Sequence, residues 1–178
     1  MSRAFSGKGD GGETSRWGGQ RLPKNDPRIV AVGEIDEANA SLGLTASFIQ
    51  ETEALSALDY LQNVLFTVGA EISAAPDKHS KEISENHVKQ VETYIEKFDS
   101  ELPDLRAFIL PTGSSAVTSL HLARAVVRRA ERAVVAANIT QNPFLIKFLN
   151  RTSSLLFVMA RWLNQKEGGT EKNPSYNL

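Results

Sequence analysis

Apolar residues recur along this chain at the three- and four-residue steps of an α-helix. The clearest run is Leu55, Leu58, Leu61, Leu65, Val68 and Ile72, which predicts a helix from about Glu53 to Ala75, stopped by Pro76. Ahead of it, Asp26-Pro27 forms a helix start, with aspartate as N-cap and proline at the first helical position. Ile35, Leu42, Ala46 and Ile49 carry that first helix to about Gln50. Val88, Val91, Ile95 and Phe98 mark a third helix that ends near Leu102-Pro103. A fourth occupies roughly Ser115 to Ala137, and Asn142-Pro143 opens a fifth that runs to about Gln165. Residues 76–83 read as an exposed connection, and residues 108–113 as a short extended segment running into a turn. No stretch alternates strictly enough to demand a strand. The predicted fold class is all-α, a five-helix bundle with short connections.

Residues 1–25 fall outside this periodicity and hold six of the twelve glycines. They read as a Gly-rich loop or strap, neither helix nor strand. Residues 166–178 form a polar tail predicted to be mobile. At 178 residues the chain suits one domain with one core, residues 1–178. Its formal net charge of −1 gives no long-range pull on nucleic acid or an acidic membrane, so a bound anion must be met by a local cluster of basic side chains. There is no cysteine, which excludes disulfides, Cys-zinc sites and thiol nucleophiles. Met1-Ser2-Arg3-Ala4-Phe5 lacks the apolar run of a secretory signal, and no segment nears the ~20 apolar residues that span a bilayer. These features predict a cytoplasmic protein with neither membrane nor nucleic acid as partner.

Four features carry candidate chemistry. Ser6-Gly7-Lys8-Gly9-Asp10-Gly11-Gly12-Glu13-Thr14-Ser15 can turn several backbone amides toward one phosphate, or it can be a plain flexible terminus. Gly7, Gly9 and Gly12 satisfy G-x-G-x-x-G with no preceding strand, and Glu13 stands where a P-loop lysine belongs. Arg21 and Lys24 follow as further cations. In the fourth helix, Arg124, Arg128 and Arg132 fall at i, i+4 and i+8, with His121 and Glu131 beside them. Guanidinium forks suit a polyphosphate; carboxylates of neighbouring helices, or solvent, are the plainer alternative. Asp36, Asn39 and Gly43 make a polar stripe that either faces solvent or partners an arginine of another helix or subunit. Asn150 interrupts apolar runs in the fifth helix and either holds a ligand or bridges helices. His79, His87 and His121 show no metal-ligand spacing, and no Ser-His-Asp set or paired carboxylates stand out.

In combination and order these stretches resemble the trimeric family of ATP:cob(I)alamin adenosyltransferases. The resemblance is carried by Gly9 to Ser15, Gly18 to Asp26, Val32 to Asn39, Phe108 to Pro111, His121 to Arg132, and Leu149-Asn150-Arg151 ahead of Leu155-Leu156-Phe157. It covers about residues 5 to 164. It implies a five-helix bundle, a homotrimer with active sites at subunit interfaces, and transfer of the 5′-deoxyadenosyl group of ATP to cob(I)alamin, releasing triphosphate. Ser6, Gly7, Lys8, Gly9, Asp10, Thr14, Ser15 and Lys24 would wrap the triphosphate. Arg128, Arg129, Glu131 and Arg132, with Asn150, would complete the nucleotide site. Arg124 would pair with Asp36 across a subunit boundary, and Phe108 would press on the corrin and displace the lower axial ligand of cobalt. Mg²⁺ would accompany ATP; a separate electron donor and an adenosylcobalamin-dependent acceptor enzyme would flank the reaction. The chain departs from the family pattern at Ser6 to Gly9, where the strap's cation is shifted and a hydroxyl dropped. It also departs at Thr112, at Ser154, and at Glu34, which replaces a frequent small residue.

Cobalt in the +1 state is a strong nucleophile, so the chemistry needs positioning and charge stabilisation rather than a protein nucleophile. A non-catalytic ATP- or corrinoid-binding delivery module and a helical interaction protein are the alternatives.

Overall fold

A computed structural model of the protein describes residues 7–75, 81–138 and 142–176. Ser6, and the greater part of the 76–83 connection, lie outside the described residues. Five helices follow a short hairpin: α1 Pro27–Ala46, α2 Thr52–Ser73, α3 Glu85–Asp99, α4 Ser115–Ala137 and α5 Pro143–Lys166. The all-α bundle expected from the periodicity is the observed architecture. Helix α4 packs between α1 and α5, α2 lies on α1, and α3 lies on α5.

The helix starts obey local chemistry. The Asp26 carboxylate accepts from the Arg28 N–H at 2.9 Å, and Pro27 occupies the first turn without losing a donor. Ser114 caps α4 by accepting from Val117 N–H at 3.2 Å, and Asn142 caps α5 by accepting from Phe144 N–H at 3.0 Å. Helix α4 ends at Asn138, whose φ of 47° is the left-handed conformation that stops a helix. At the core, Phe98 of α3 meets Trp162 of α5 edge to face, with ring centroids 4.9 Å apart. Phe98, Phe148, Leu58, Leu61, Leu120 and Leu155 are fully buried, each contributing roughly 1.5–3 kcal/mol of hydrophobic stabilisation.

Four expectations are corrected. The strap is not all loop: β1 (Glu13–Ser15) and β2 (Arg21–Pro23) pair antiparallel with Thr14 opposite Leu22. Strands of three residues are too short to show an alternating pattern, and Gly18 and Gly19, at φ 104° and 86°, supply the turn. The first helix ends at Ala46, four residues early, where Ser47 turns its hydroxyl onto the Leu44 carbonyl at 2.6 Å. The connection before α3 is not exposed throughout: Ile83 is buried, and its N–H donates to the Glu71 carboxylate at 2.7 Å. The polar tail is tied down. Gly169 N–H donates to the Asn164 carbonyl, and Lys172 C=O accepts from Leu110 N–H at 2.7 Å.

Candidate active site

Helix α4 distributes its charged residues by their angle around the axis. Its buried stripe includes Leu120, Ala123, Val127, Ala130 and Val134. Arg128 and Arg132 lie away from that stripe and are exposed. Neither makes an ion pair among the described residues. Arg129 follows Arg128 by about 100° of helix turn and leans toward α1. Its Nε donates to Glu34 at 2.5 Å and its Nη2 pairs with Glu37. These hydrogen bonds, Glu37's first and Glu34's second, hold the Arg129 guanidinium more firmly protonated than usual. Glu131 turns the other way, toward α5, where Asn150 Nδ2 donates to its carboxylate at 3.4 Å. Asn150 is itself held, accepting from Arg151 Nη1 at 3.0 Å, while Arg151 Nε donates to Glu92 of α3 at 2.9 Å. A chain of side chains thus runs from α3 through α5 to the acidic member of the arginine face.

The strap is internally braced. Successive turns bring Asp10 N–H to the Gly7 carbonyl and Gly12 N–H to the Gly9 carbonyl, each at 3.2 Å. Arg21 donates to the Lys8 carbonyl at 2.8 Å and to Glu13 at 3.0 Å, so this cation stiffens the strap. The Lys24 N–H donates to the Gly12 carbonyl at 2.8 Å. The Lys24 ammonium sits so close to Gly9 that a Cβ there would lie 3.4 Å from Nζ. Strand alternation sends Thr14 and Ser15 to opposite faces of the hairpin. The hairpin meets the bundle where Trp17 C=O accepts from Ala75 N–H at 3.1 Å, beside the end of α2. No hydrogen bond or ion pair among the described residues joins the strap to Arg128 or Arg132.

Between α3 and α4, Phe108 stands on an extended segment with 81% of its surface exposed. Asn173 Nδ2 donates to its carbonyl at 2.8 Å. Leu105, Arg106, Ala107, Phe108, Asn173, Pro174 and Tyr176 line an open, largely apolar cavity of about 450 Å³. Gly113 ends the segment at φ 148°, and a Cβ there would lie 2.7 Å from Val117 Cγ1, so the turn into α4 requires glycine. Tyr176 and Asn173 were not singled out from the sequence; an aromatic behind Pro174 in a polar tail was the available signal. Glu92, and its pairing with Arg151, were missed because that pairing joins helices far apart in the chain.

A second groove of about 530 Å³ runs between α1 and α2, lined by residues including Val32, Asp36, Asn39, Phe66 and Gly69. Phe66 is 72% exposed. Asp36 and Arg124 do not meet within the chain, and Arg124 Nε is buried with no hydrogen-bond partner among the described residues. Next to Arg124, His121 is buried against Phe157. Burial, and secondarily the Arg124 charge, pushes its pKa below 6.5 against a smaller opposing effect of Glu171. Among the described residues no set of three His, Cys, Asp or Glu side chains could hold a metal ion, and no helix is long and apolar enough to cross a membrane.

A family model described as cobalamin adenosyltransferase matches residues 4–163. The corrinoid adenosyltransferase MMAB of Mus musculus is 38% identical over 188 residues, covering 97% of this chain and 77% of that protein. The cobalamin adenosyltransferase of Cupriavidus metallidurans is 37% identical over 174 residues, covering 96% and 93%. Among solved structures, a variant PduO-type ATP:corrinoid adenosyltransferase from Lactobacillus reuteri, complexed with cobalamin and ATP, is similar with a TM-score of 0.91. It is 31% identical, with 98% of this chain and 97% of that chain covered. Another variant of that enzyme, complexed with ATP, gives a TM-score of 0.88 at 32% identity, with 96% and 99% covered.

Proposed function

This chain belongs to the cobalamin adenosyltransferase family and is an ATP:corrinoid adenosyltransferase, and on that premise we propose how its residues divide the work. The observation that carries the reading is the exposed pair Arg128 and Arg132, two guanidiniums on one helix face without a carboxylate partner among the described residues. A polyphosphate supplies the missing negative charge.

In the reaction, cobalt(I) of the corrinoid substrate attacks the 5′ carbon of ATP. The cobalt–carbon bond forms as the carbon–oxygen bond breaks, triphosphate departs with the bonding pair, and cobalt rises from +1 to +3. Ser6, Gly7, Lys8, Gly9, Asp10, Thr14, Ser15 and Lys24 are proposed to enclose the triphosphate, with backbone amides and the Lys24 ammonium as donors. Arg128 and Arg132 stabilise the charge gathering on the leaving group. Glu131 and Asn150, braced through Arg151 and Glu92, orient the nucleoside. Mg²⁺ fits as a companion of the phosphates, since it is commonly bound by phosphate oxygens and one or two carboxylates; Glu131 is the acidic side chain on this face. The ion would neutralise charge on the triphosphate.

The cavity around Phe108 is proposed to receive the corrin. An exposed phenyl ring offers cobalt no donor atom, so it excludes a lower axial ligand and makes reduction to the +1 state easier. The active site is proposed to be shared within a homotrimer, with Asp36 of one subunit reaching Arg124 of the next. The buried, unpartnered Arg124 Nε, the α1–α2 groove and exposed Phe66 support that reading. A reducing cytoplasm suits a +1 substrate, with a separate protein as electron donor and an adenosylcobalamin-dependent enzyme taking the product.

An anaerobic spectroscopic assay with chemically reduced cobalamin, MgATP and purified protein tests this directly. ATP-dependent formation of adenosylcobalamin with stoichiometric triphosphate is expected. ATP binding without alkylation would turn the reading to a delivery module, and no thermal stabilisation by ATP would remove the nucleotide site altogether.

A further inference from the structure

We propose that the protein has a second anion site, separate from the nucleotide site, in which Arg16 binds a phosphate group between the hairpin and the start of α1. Arg16 follows β1 directly and is only 7% exposed, yet Nε and Nη1 are buried with no hydrogen-bond partner among the described residues. A buried guanidinium keeps its charge and its five donors, and such a group is stable only when paired and hydrogen-bonded. The side chain lines an open cavity of about 420 Å³ together with Gln20, Leu22, Asp26 and Arg28.

The charges around that cavity favour an anion. Two guanidiniums face one carboxylate, and the Asp26 carboxylate is already engaged, accepting from the Arg28 backbone N–H at 2.9 Å. The cavity also opens at the first turn of α1, a 20-residue helix whose N-terminus carries partial positive charge. Gln20 adds an amide that donates from the hairpin side. The fork geometry of arginine matches tetrahedral oxyanions, which makes a phosphate group the fitting ligand. The cavity is larger than orthophosphate, so it also admits the end of a polyphosphate.

None of Arg16, Gln20 or Arg28 belongs to the proposed nucleotide or corrin machinery. Their positions give the site a mechanical consequence. Arg16 and Gln20 flank the Gly18-Gly19 turn of the hairpin, whereas Arg28 belongs to the bundle. A phosphate bridging them fastens the hairpin, and with it the strap, onto α1.

The test is thermal denaturation of the full chain saturated with MgATP and without corrinoid, titrated with inorganic phosphate at constant ionic strength set by chloride. ATP held at the lowest concentration that fills the first site leaves the second open to phosphate, so a further rise in melting temperature reports the second. The wild type should respond, and Arg16→Leu should weaken apparent phosphate affinity by about tenfold or more, the loss expected for a hydrogen bond to a charged group. Arg28→Gln, at a half-exposed position, should weaken it also and stands in if Arg16→Leu does not fold. Inorganic triphosphate in a parallel titration separates the sources: saturation at lower concentration than phosphate identifies a polyphosphate end, and the reverse identifies free phosphate. An equal phosphate response in the wild type and the folded variants, or none in the wild type, would overturn the site.

Discussion

Arg161 of α5 donates its Nε to the Glu171 carboxylate at 2.7 Å, from a side chain only 4% exposed. Its Nη2 donates to the Pro103 carbonyl at 2.9 Å. One buried guanidinium therefore fixes both the tail and the loop that follows α3, the two segments that line the cavity around Phe108. Arg161→Met should lower stability by about 1–3 kcal/mol through loss of charge-assisted hydrogen bonds. It should also raise the KM for the corrinoid more than that for ATP. Urea denaturation and steady-state kinetics check this; an unchanged corrinoid KM would separate the tail from substrate binding.

Arg128→Ala should reduce turnover by about 10²–10³-fold, the range for removing one donor aimed at developing charge. Arg128 is exposed, so the melting temperature should hardly move. Full activity in this variant would remove Arg128 from the reaction.

Arg129 is predicted to behave differently from its neighbour. It is committed to Glu34 and Glu37 of α1, so it ties α1 to α4. Arg129→Ala should lower the melting temperature and raise the KM for ATP by less than about tenfold. A loss of turnover matching that of Arg128→Ala would place Arg129 in the nucleotide site, as the resemblance implies.

Asp36→Arg and Arg124→Asp should each break up the proposed trimer and reduce activity, because in that assembly each leaves like charges facing across the boundary. The double exchange should restore assembly. Light scattering reads the outcome, and trimeric, fully active single variants would contradict the intersubunit pair.

Burial holds the His121 pKa below its ordinary 6.5, with the Arg124 charge acting in the same direction. The unfolded chain therefore takes up this proton at higher pH than the native protein does. Stability from neutral His121 is complete above 6.5 and is lost as pH falls below it, toward the depressed native value. Melting temperature should fall over this interval, and less steeply in His121→Leu. Equal slopes would assign the acid sensitivity elsewhere.

Much of this protein follows from local rules that a sequence displays openly. Asp26-Pro27, Asn142-Pro143 and the leucine spacing of α2 place three helices to within a few residues, because capping and amphipathic periodicity act over one or two turns. Arg124, Arg128 and Arg132 at successive i+4 steps announce a cationic face for the same reason. The ordered motifs carry the family itself. What the sequence leaves undecided depends on which helix faces which. Only packing turns Arg129 onto Glu34 and Glu37, runs Glu92 through Arg151 and Asn150 to Glu131, and draws Glu171 back to Arg161. Apart from the adjacent Asn150 and Arg151, those partners lie from 10 to 95 positions apart, a separation at which no helical or strand period relates one residue to another. The hairpin was hidden because its three-residue strands carry too few positions for a pattern, and buried Arg16 was hidden because burial of a charge is a property of its surroundings alone.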